Sequence, residues 1–188
     1  MKILPLSIPD VKLITPRKFQ DDRGYFVETY KADDFDEVVG EATKFVQDNH
    51  SYSRDLGTVR GLHFQSPPDA QGKLVRCPVG SILDVAVDIR VGSPYFGKYV
   101  SAELSAENSK QLWIPAGFLH GFVTLENDTE VAYKCTQFYS PEREGNVRWN
   151  DPDLAIHWGG ANQEALLSEK DAIAPLFKDF NSPFLYQK

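Results

Sequence analysis

Cysteine is scarce. The 188-residue chain has two, Cys77 and Cys135. Neither has a CxxC partner, so no disulfide framework is available, and two buried thiols in a reducing cytoplasm are expected. Long apolar runs are also missing. No stretch of about 18 apolar residues exists to cross a membrane as a helix. The apolar stretch after Lys2 is broken by Pro5 and ended by Asp10, too short for a signal peptide. A basic excess is lacking too: 27 acidic against 20 basic side chains leave a net charge of −7. That excludes a nucleic-acid binder working through its whole surface. An anionic small molecule remains open if a few cations converge in one pocket. There is no repeat, low-complexity segment or Gly/Ser-rich linker, so one domain over residues 1–188 is expected. What is present is ordinary for a soluble globular chain: 41% hydrophobic and 25% charged residues. A chain of this mass buries about 70% of its unfolded surface, enough for a core without metal or disulfide staples.

The dominant local signal is short β-branched or aromatic runs separated by Gly, Pro, Asn and Asp. Strands are expected at Gly24–Lys31, Lys44–Asp48, Val59–Gln65, Lys73–Pro78, Ser81–Arg90, Tyr99–Leu104, Gln111–Pro115, His120–Glu126 and Glu130–Tyr139. The clearest alternation sets Leu83, Val85, Val87 and Ile89 against Ile82, Asp84, Ala86 and Asp88. Strands this short and this frequent indicate an all-β sandwich or barrel. Helical signals are confined to Lys31–Val39, ended by Gly40, and a turn or two from Glu169 to Pro175 that Ser168 caps.

Interior positions of a small barrel alternate along each strand, so polar residues at those positions are candidates for chemistry. Gly61, His63 and Gln65 share one face, as do Lys73 and Val75, and as do Val131, Tyr133, Cys135, Gln137 and Tyr139. A His, a Lys and a Tyr converging in one barrel would supply a base, a cation for an oxyanion and an acid. Singly, each has an ordinary structural reading: a hydrogen-bonded rim His, a strand-edge Lys, a packed Tyr. The Pro115-x-Gly117-x-x-His120 spacing matches the second half of the cupin signature, a turn that delivers a His into a barrel. Metal-binding cupins add a His-x-His pair and a nearby Glu. Here Gln65 stands two residues after His63, leaving fewer than the three protein ligands usual for a catalytic metal.

Several longer segments occur in one order: Asp22–Glu28, Gln47–Ser51, Arg60–Gln65, Gln71–Val75, Asp84–Arg90, Pro115–Phe122 and Ser168–Asp171. Together they resemble the dTDP-4-dehydrorhamnose 3,5-epimerase family over about residues 15 to 175. One departure is Leu119, where the family usually has Ala before the His. The resemblance implies a cupin-type jelly roll, a homodimer with an exchanged N-terminal strand, and no metal or organic cofactor. It implies inversion of carbons 3 and 5 of dTDP-4-dehydro-6-deoxy-D-glucose. It assigns His63 as base, Asp171 as its orienting partner, Tyr133 as the opposed acid and Lys73 as the partner of the sugar oxyanion. Arg60 and His120 are implied pocket contacts, and Gln47, Asn49 and Lys170 contacts to the nucleotide and its diphosphate. Arg23, Phe26 and Glu28 are implied to come from the neighbouring subunit, and Tyr139 to face the thymine.

This chemistry is coherent. A 4-keto group acidifies the hydrogens on both neighbouring carbons, and a fixed cation stabilises the enolate by roughly 3–4 kcal/mol. A carboxylate on the second imidazole nitrogen fixes the tautomer. Three features pull the other way. Arg60 and His63 have opposite parity, so both face a pocket only if the strand bulges, with Gly61 the natural place. Ser168-x-x-Asp171 is also a capping box, which alone would account for the carboxylate; Asp84 is then the alternative partner for His63. Phe19 and Phe26 fit either thymine contacts or ordinary core, and strand aromatics are usually core. The rival functions are an epimerase acting at one carbon only, a non-catalytic nucleotide-sugar-binding cupin, and a metal-dependent cupin oxygenase.

Overall fold

Strand β8 (Ser81–Asp88) alternates as its sequence predicts, and both of its faces are buried. The computed structural model describes residues 1–159 and 165–187. Its described strands are β1 (Lys2–Leu4), β2 (Lys12–Thr15), β3 (Lys18–Asp21), β4 (Gly24–Val27), β5 (Gln47–Ser53), β6 (Val59–Gln65), β7 (Lys73–Val79), β8, β9 (Tyr99–Ser105), β10 (Gln111–Ile114), β11 (Phe118–Thr124), β12 (Thr129–Cys135) and β13 (Glu144–Asn146). Two short helices accompany them, α1 (Ala32–Val39) and α2 (Glu169–Ala172). One sheet runs β1-β2-β10-β7-β12-β5 and faces a second, β13-β6-β11-β8-β9; β3 and β4 form a separate hairpin. All ladders are antiparallel.

Each sheet is packed over part of both faces, and the residue parity shows how. Between the sheets lie Val75, Leu112 and Val131 of the first and Ile82, Ala86, Leu104 and Phe122 of the second. Behind the second sheet, Val85, Val87, Leu119 and Val123 are covered by Trp149, Leu154, Ile156 and Trp158 of the C-terminal segment. Each fully buried side chain of this kind contributes roughly 1.5–3 kcal/mol. That burial anchors the segment that carries Asp171. Outside the first sheet, Trp113, Leu74 and Ile14 are capped by Phe35 of α1. Helix α1 ends as expected at Gly40, which sits at φ 82 and donates to the Asp36 carbonyl at 2.8 Å.

The observed strands depart from the expected ones at informative places. The run at Gly24–Lys31 stops at Val27, because Tyr30 turns to pack on Phe35 and Phe45. The strand expected at Lys44–Asp48 begins at Gln47 and continues to Ser53. Its partly buried positions are Gln47, Asn49 and Ser51, so no hydrophobic alternation marks it. The strand expected to reach Tyr139 ends at Cys135. Beyond it, three glutamine side chains replace a neighbouring strand. Gln71 donates to the Gln137 carbonyl at 2.8 Å, Gln65 donates to that of Phe138 at 2.9 Å, and Gln47 accepts from the Tyr139 N–H at 2.9 Å. The face-sharing argument for Gln137 and Tyr139 therefore fails.

The bulge required by Arg60 and His63 is present. His120 pairs with His63 and Phe122 with Arg60, so Gly121 alone opposes both Gly61 and Leu62. Gly61 has φ 116, a region closed to ordinary side chains, and a Cβ there would lie 2.6 Å from the His120 carbonyl oxygen. Leu62 turns to the back core, and Arg60 and His63 both line the cavity.

Candidate active site

A cavity of about 570 Å³ opens at one end of the barrel. Strand β6 supplies Arg60 and His63, β7 supplies Lys73, β11 supplies His120 and Phe122, and β12 supplies Tyr133. The C-terminal segment closes one wall with Leu166, Leu167, Ser168, Lys170 and Asp171. A second cavity of about 320 Å³ is lined by Gln47, Asn49, Gln65, Gln71, Tyr139 and Glu144, among others. Among the described residues, only His63, Lys73 and Tyr133 line both.

His63 is paired. Its Nε2 lies 2.6 Å from Asp171 Oδ1, and Asp171 is buried. Burial pushes the Asp171 carboxyl up. The His63 hydrogen bond and charge, the Ser168 hydroxyl and the Gly61 N–H outweigh burial and hold it below its ordinary 3.8. An ionised carboxylate only accepts hydrogen bonds. Nε2 therefore carries the hydrogen, and Nδ1 is the basic nitrogen of the neutral ring. Asp84, the alternative partner, is engaged elsewhere: its Oδ1 lies 2.7 Å from His120 Nε2. The barrel thus holds two His–Asp pairs whose imidazoles stand opposite each other on β6 and β11.

Lys73 is partly exposed because both cavities open onto it, yet its ammonium is surrounded by protein. Burial lowers its pKa against the opposing pull of Cys135, Glu144 and Asp84. The Tyr133 phenol is pushed up, by burial first and then by Cys135. It stays protonated at neutral pH. Arg60 is held by the Ser53 hydroxyl at 3.2 Å and the Tyr52 carbonyl at 2.9 Å.

The other expected contacts fall into two groups. Gln47, Asn49 and Tyr139 meet at the second cavity, where the Gln47 amide donates to Asn49 Oδ1 at 2.9 Å. The Tyr139 hydroxyl donates to Glu144 at 2.8 Å, and Lys170 pairs with the same carboxylate. Arg23, Phe26 and Glu28 do not reach either cavity of their own chain. Arg23 pairs with Asp21 at 2.6 Å, and Phe26 is 66% exposed beside Phe19. Sequence reasoning missed Glu144, Gln71, Phe122, Ser51, Leu166 and Leu167. Glu144 sits on the three-residue β13, too short to leave a periodic signal.

A jelly-roll barrel whose mouth gathers a carboxylate-backed imidazole, a buried ammonium and a protonated phenol has the groups that a cupin-type isomerase would need. The family model for dTDP-4-dehydrorhamnose 3,5-epimerase matches residues 5–179. A dTDP-4-dehydrorhamnose 3,5-epimerase of Salmonella typhimurium is 53% identical, over 94% of this chain and 95% of the relative. One of Sinorhizobium fredii is 54% identical, over 97% and 93%. A dTDP-6-deoxy-D-glucose-3,5-epimerase of Legionella pneumophila, solved with dTDP-4-keto-L-rhamnose, superposes with a TM-score of 0.95 at 44% identity and covers 100% of this chain and 99% of that one. The chain belongs to the dTDP-4-dehydrorhamnose 3,5-epimerase family and is an isomerase that inverts both carbons flanking a sugar ketone.

Proposed function

We propose that His63 Nδ1 removes the proton from carbon 3 of dTDP-4-dehydro-6-deoxy-D-glucose while Asp171 steadies the imidazolium. Lys73 stabilises the enolate oxygen, and Tyr133 returns a proton from the other face of the ring. The carbon 5 inversion repeats the sequence, giving dTDP-4-dehydro-L-rhamnose. Arg60 and His120 contact the sugar. Gln47, Asn49 and Lys170 bind the diphosphate side, and Tyr139 faces the thymine. The observation that carries this reading is the sharing of His63, Lys73 and Tyr133 by two joined cavities, with His63 alone of the three backed by a buried carboxylate. No metal or organic cofactor takes part in this reading: the proton transfers use side chains alone, and the amide of Gln65, the residue two after His63, is tied to Phe138 and Ser140.

The working form in this reading is a cytoplasmic homodimer. The β3–β4 hairpin pairs only with itself among the described strands, with Phe19, Tyr25 and Phe26 exposed. The chain exposes 10201 Å², above the roughly 9,000 Å² expected for a folded monomer of this mass. The hairpin would cross to the partner and present Arg23, Phe26 and Glu28 to its nucleotide.

Proton NMR of the substrate with enzyme in deuterated water tests the site. Deuterium is expected at carbons 3 and 5 with wild type. With His63→Ala, uptake at carbon 3 should fall at least about 10²-fold. Near-normal uptake in that variant would place the base elsewhere.

A further inference from the structure

Each inversion leaves two protons misplaced. The proton from carbon moves to His63 Nδ1, and the phenol proton of Tyr133 moves to carbon on the opposite face. An imidazolium and a phenolate remain, and neither can act again until one proton passes from the first to the second. An enzyme that inverts two carbons meets this state between the inversions, with its substrate still bound.

We infer that Lys73 carries this proton: after the ketone re-forms, its ammonium donates to the Tyr133 phenolate, and the resulting amine takes the proton from His63 Nδ1. The two transfers balance, restoring a neutral imidazole, a phenol and an ammonium with no outside reactant. The inference rests on the acid and base roles proposed above.

The geometry singles out Lys73. On the paired strands it stands directly opposite Cys135, and Tyr133 stands opposite Val75. Lys73 and Tyr133 are thus diagonal neighbours, within reach for long side chains. Among the described residues, His63, Lys73 and Tyr133 are the three that both cavities share, so a sugar nucleotide filling them displaces the water around all three. His120 lines only the first cavity and not the second, where Lys73 and Tyr133 also meet. The Lys73 ammonium has no hydrogen-bond or ion-pair partner among the described residues, so its hydrogens are available. In water an ammonium of ordinary pKa 10.5 holds its proton against a phenolate of 10.0. Burial lowers the first and raises the second, which favours the transfer. The timing is consistent: Lys73 is charged while the enolate needs a cation and gives up its proton only once the ketone has re-formed.

A cation that cannot release a proton separates this role from enolate stabilisation. Lys73→Arg keeps the charge and loses the proton donor. With substrate in deuterated water, the variant should show a burst of about one carbon 3 exchange per active site. Turnover to the double epimer should then run roughly 10²-fold slower than that burst. Lys73→Ala gives the same contrast with added small cations. Methylammonium should restore both phases, and guanidinium only the first. Loss of exchange and turnover by the same factor in Lys73→Arg, or equal rescue of turnover by the two cations, overturns the inference. A failure of the underlying acid role looks different: Tyr133→Phe would then give the double epimer at the wild-type rate.

Discussion

Gly61 is where one methyl group tests the link between fold and chemistry. In Gly61→Ala the new Cβ would sit 2.6 Å from the His120 carbonyl oxygen and 2.7 Å from the Gly121 Cα. Both atoms are backbone of β11, every residue of which is buried. Strand β6 must therefore retreat by roughly 0.8 Å to reach ordinary contact. The φ of 116 adds strain of about 1–3 kcal/mol, and overpacking adds about 1–3 kcal/mol. A loss of about 2–6 kcal/mol takes a large part of the stability of an ordinary domain, about 5–15 kcal/mol. It lowers Tm by roughly 5–20 °C. His63 lies two residues away on the moving strand, and a displacement near 1 Å costs about 10²-fold in rate. Thermal unfolding measures the first loss, and single-turnover deuterium exchange on the folded protein the second. Gly92→Ala is the control: Gly92 has φ 87 but nothing within 4 Å of a Cβ, so it should show backbone strain and unimpaired exchange. Wild-type stability and exchange in Gly61→Ala would refute the claim that the close-packed bulge sets the site.

Asp171→Asn should lower turnover on the order of 10²–10⁴-fold, because the amide no longer enforces the Nε2–H tautomer or stabilises the imidazolium. The Asp171 carboxyl is depressed below 3.8 on folding, so its stabilisation is full above that value and lost as pH falls through the lower folded value. The stability gap between wild type and Asp171→Asn should therefore narrow below about pH 4, and a gap that widens in acid contradicts the pairing. Tyr133→Phe should keep its fold, since one oxygen is removed and no cavity made, and should accumulate exchanged or partly inverted sugar. Normal yield of the double epimer would make Tyr133 a packing residue. Sedimentation at assay concentration should show a dimer; a fully active monomer would contradict the exchanged hairpin.

The strands legible in the sequence are those whose buried positions are apolar. Val59–Gln65 is found at its expected limits, and the alternation at Ile82–Ile89 matches the two packed faces of β8. Strand β5 carries no such mark at its true limits, because its inner face is built of Gln47, Asn49 and Ser51 for a polar cavity. Strands β1, β2, β3 and β13 have three or four residues each, below the length at which periodicity becomes visible. Tyr139 lies beyond the strand expected to carry it, and it still borders the second cavity because Gln47, Gln65 and Gln71 hold that loop in place. Side-chain amides acting as a surrogate strand leave no signal in a hydrophobic pattern.

Asp171 shows why two readings of one motif need not compete. Ser168 Oγ accepts the Asp171 N–H at 3.2 Å, which caps α2 as the sequence predicts. A four-residue helix needs that cap, since it has too few internal hydrogen bonds to hold itself. In a full capping box the carboxylate would bend back to the helix start. Here it turns to His63, and the Gly61 N–H favours the same charge. The cap supplies the fixed backbone, and the side chain is left for the imidazole. The same carboxylate touches the bulge that aligns Arg60 with His63. The C-terminal segment, anchored behind the second sheet by Trp149 and Trp158, thus closes the cavity and holds the base with one residue. A substitution that loosens that anchor, far from the substrate, reaches the reaction through Asp171.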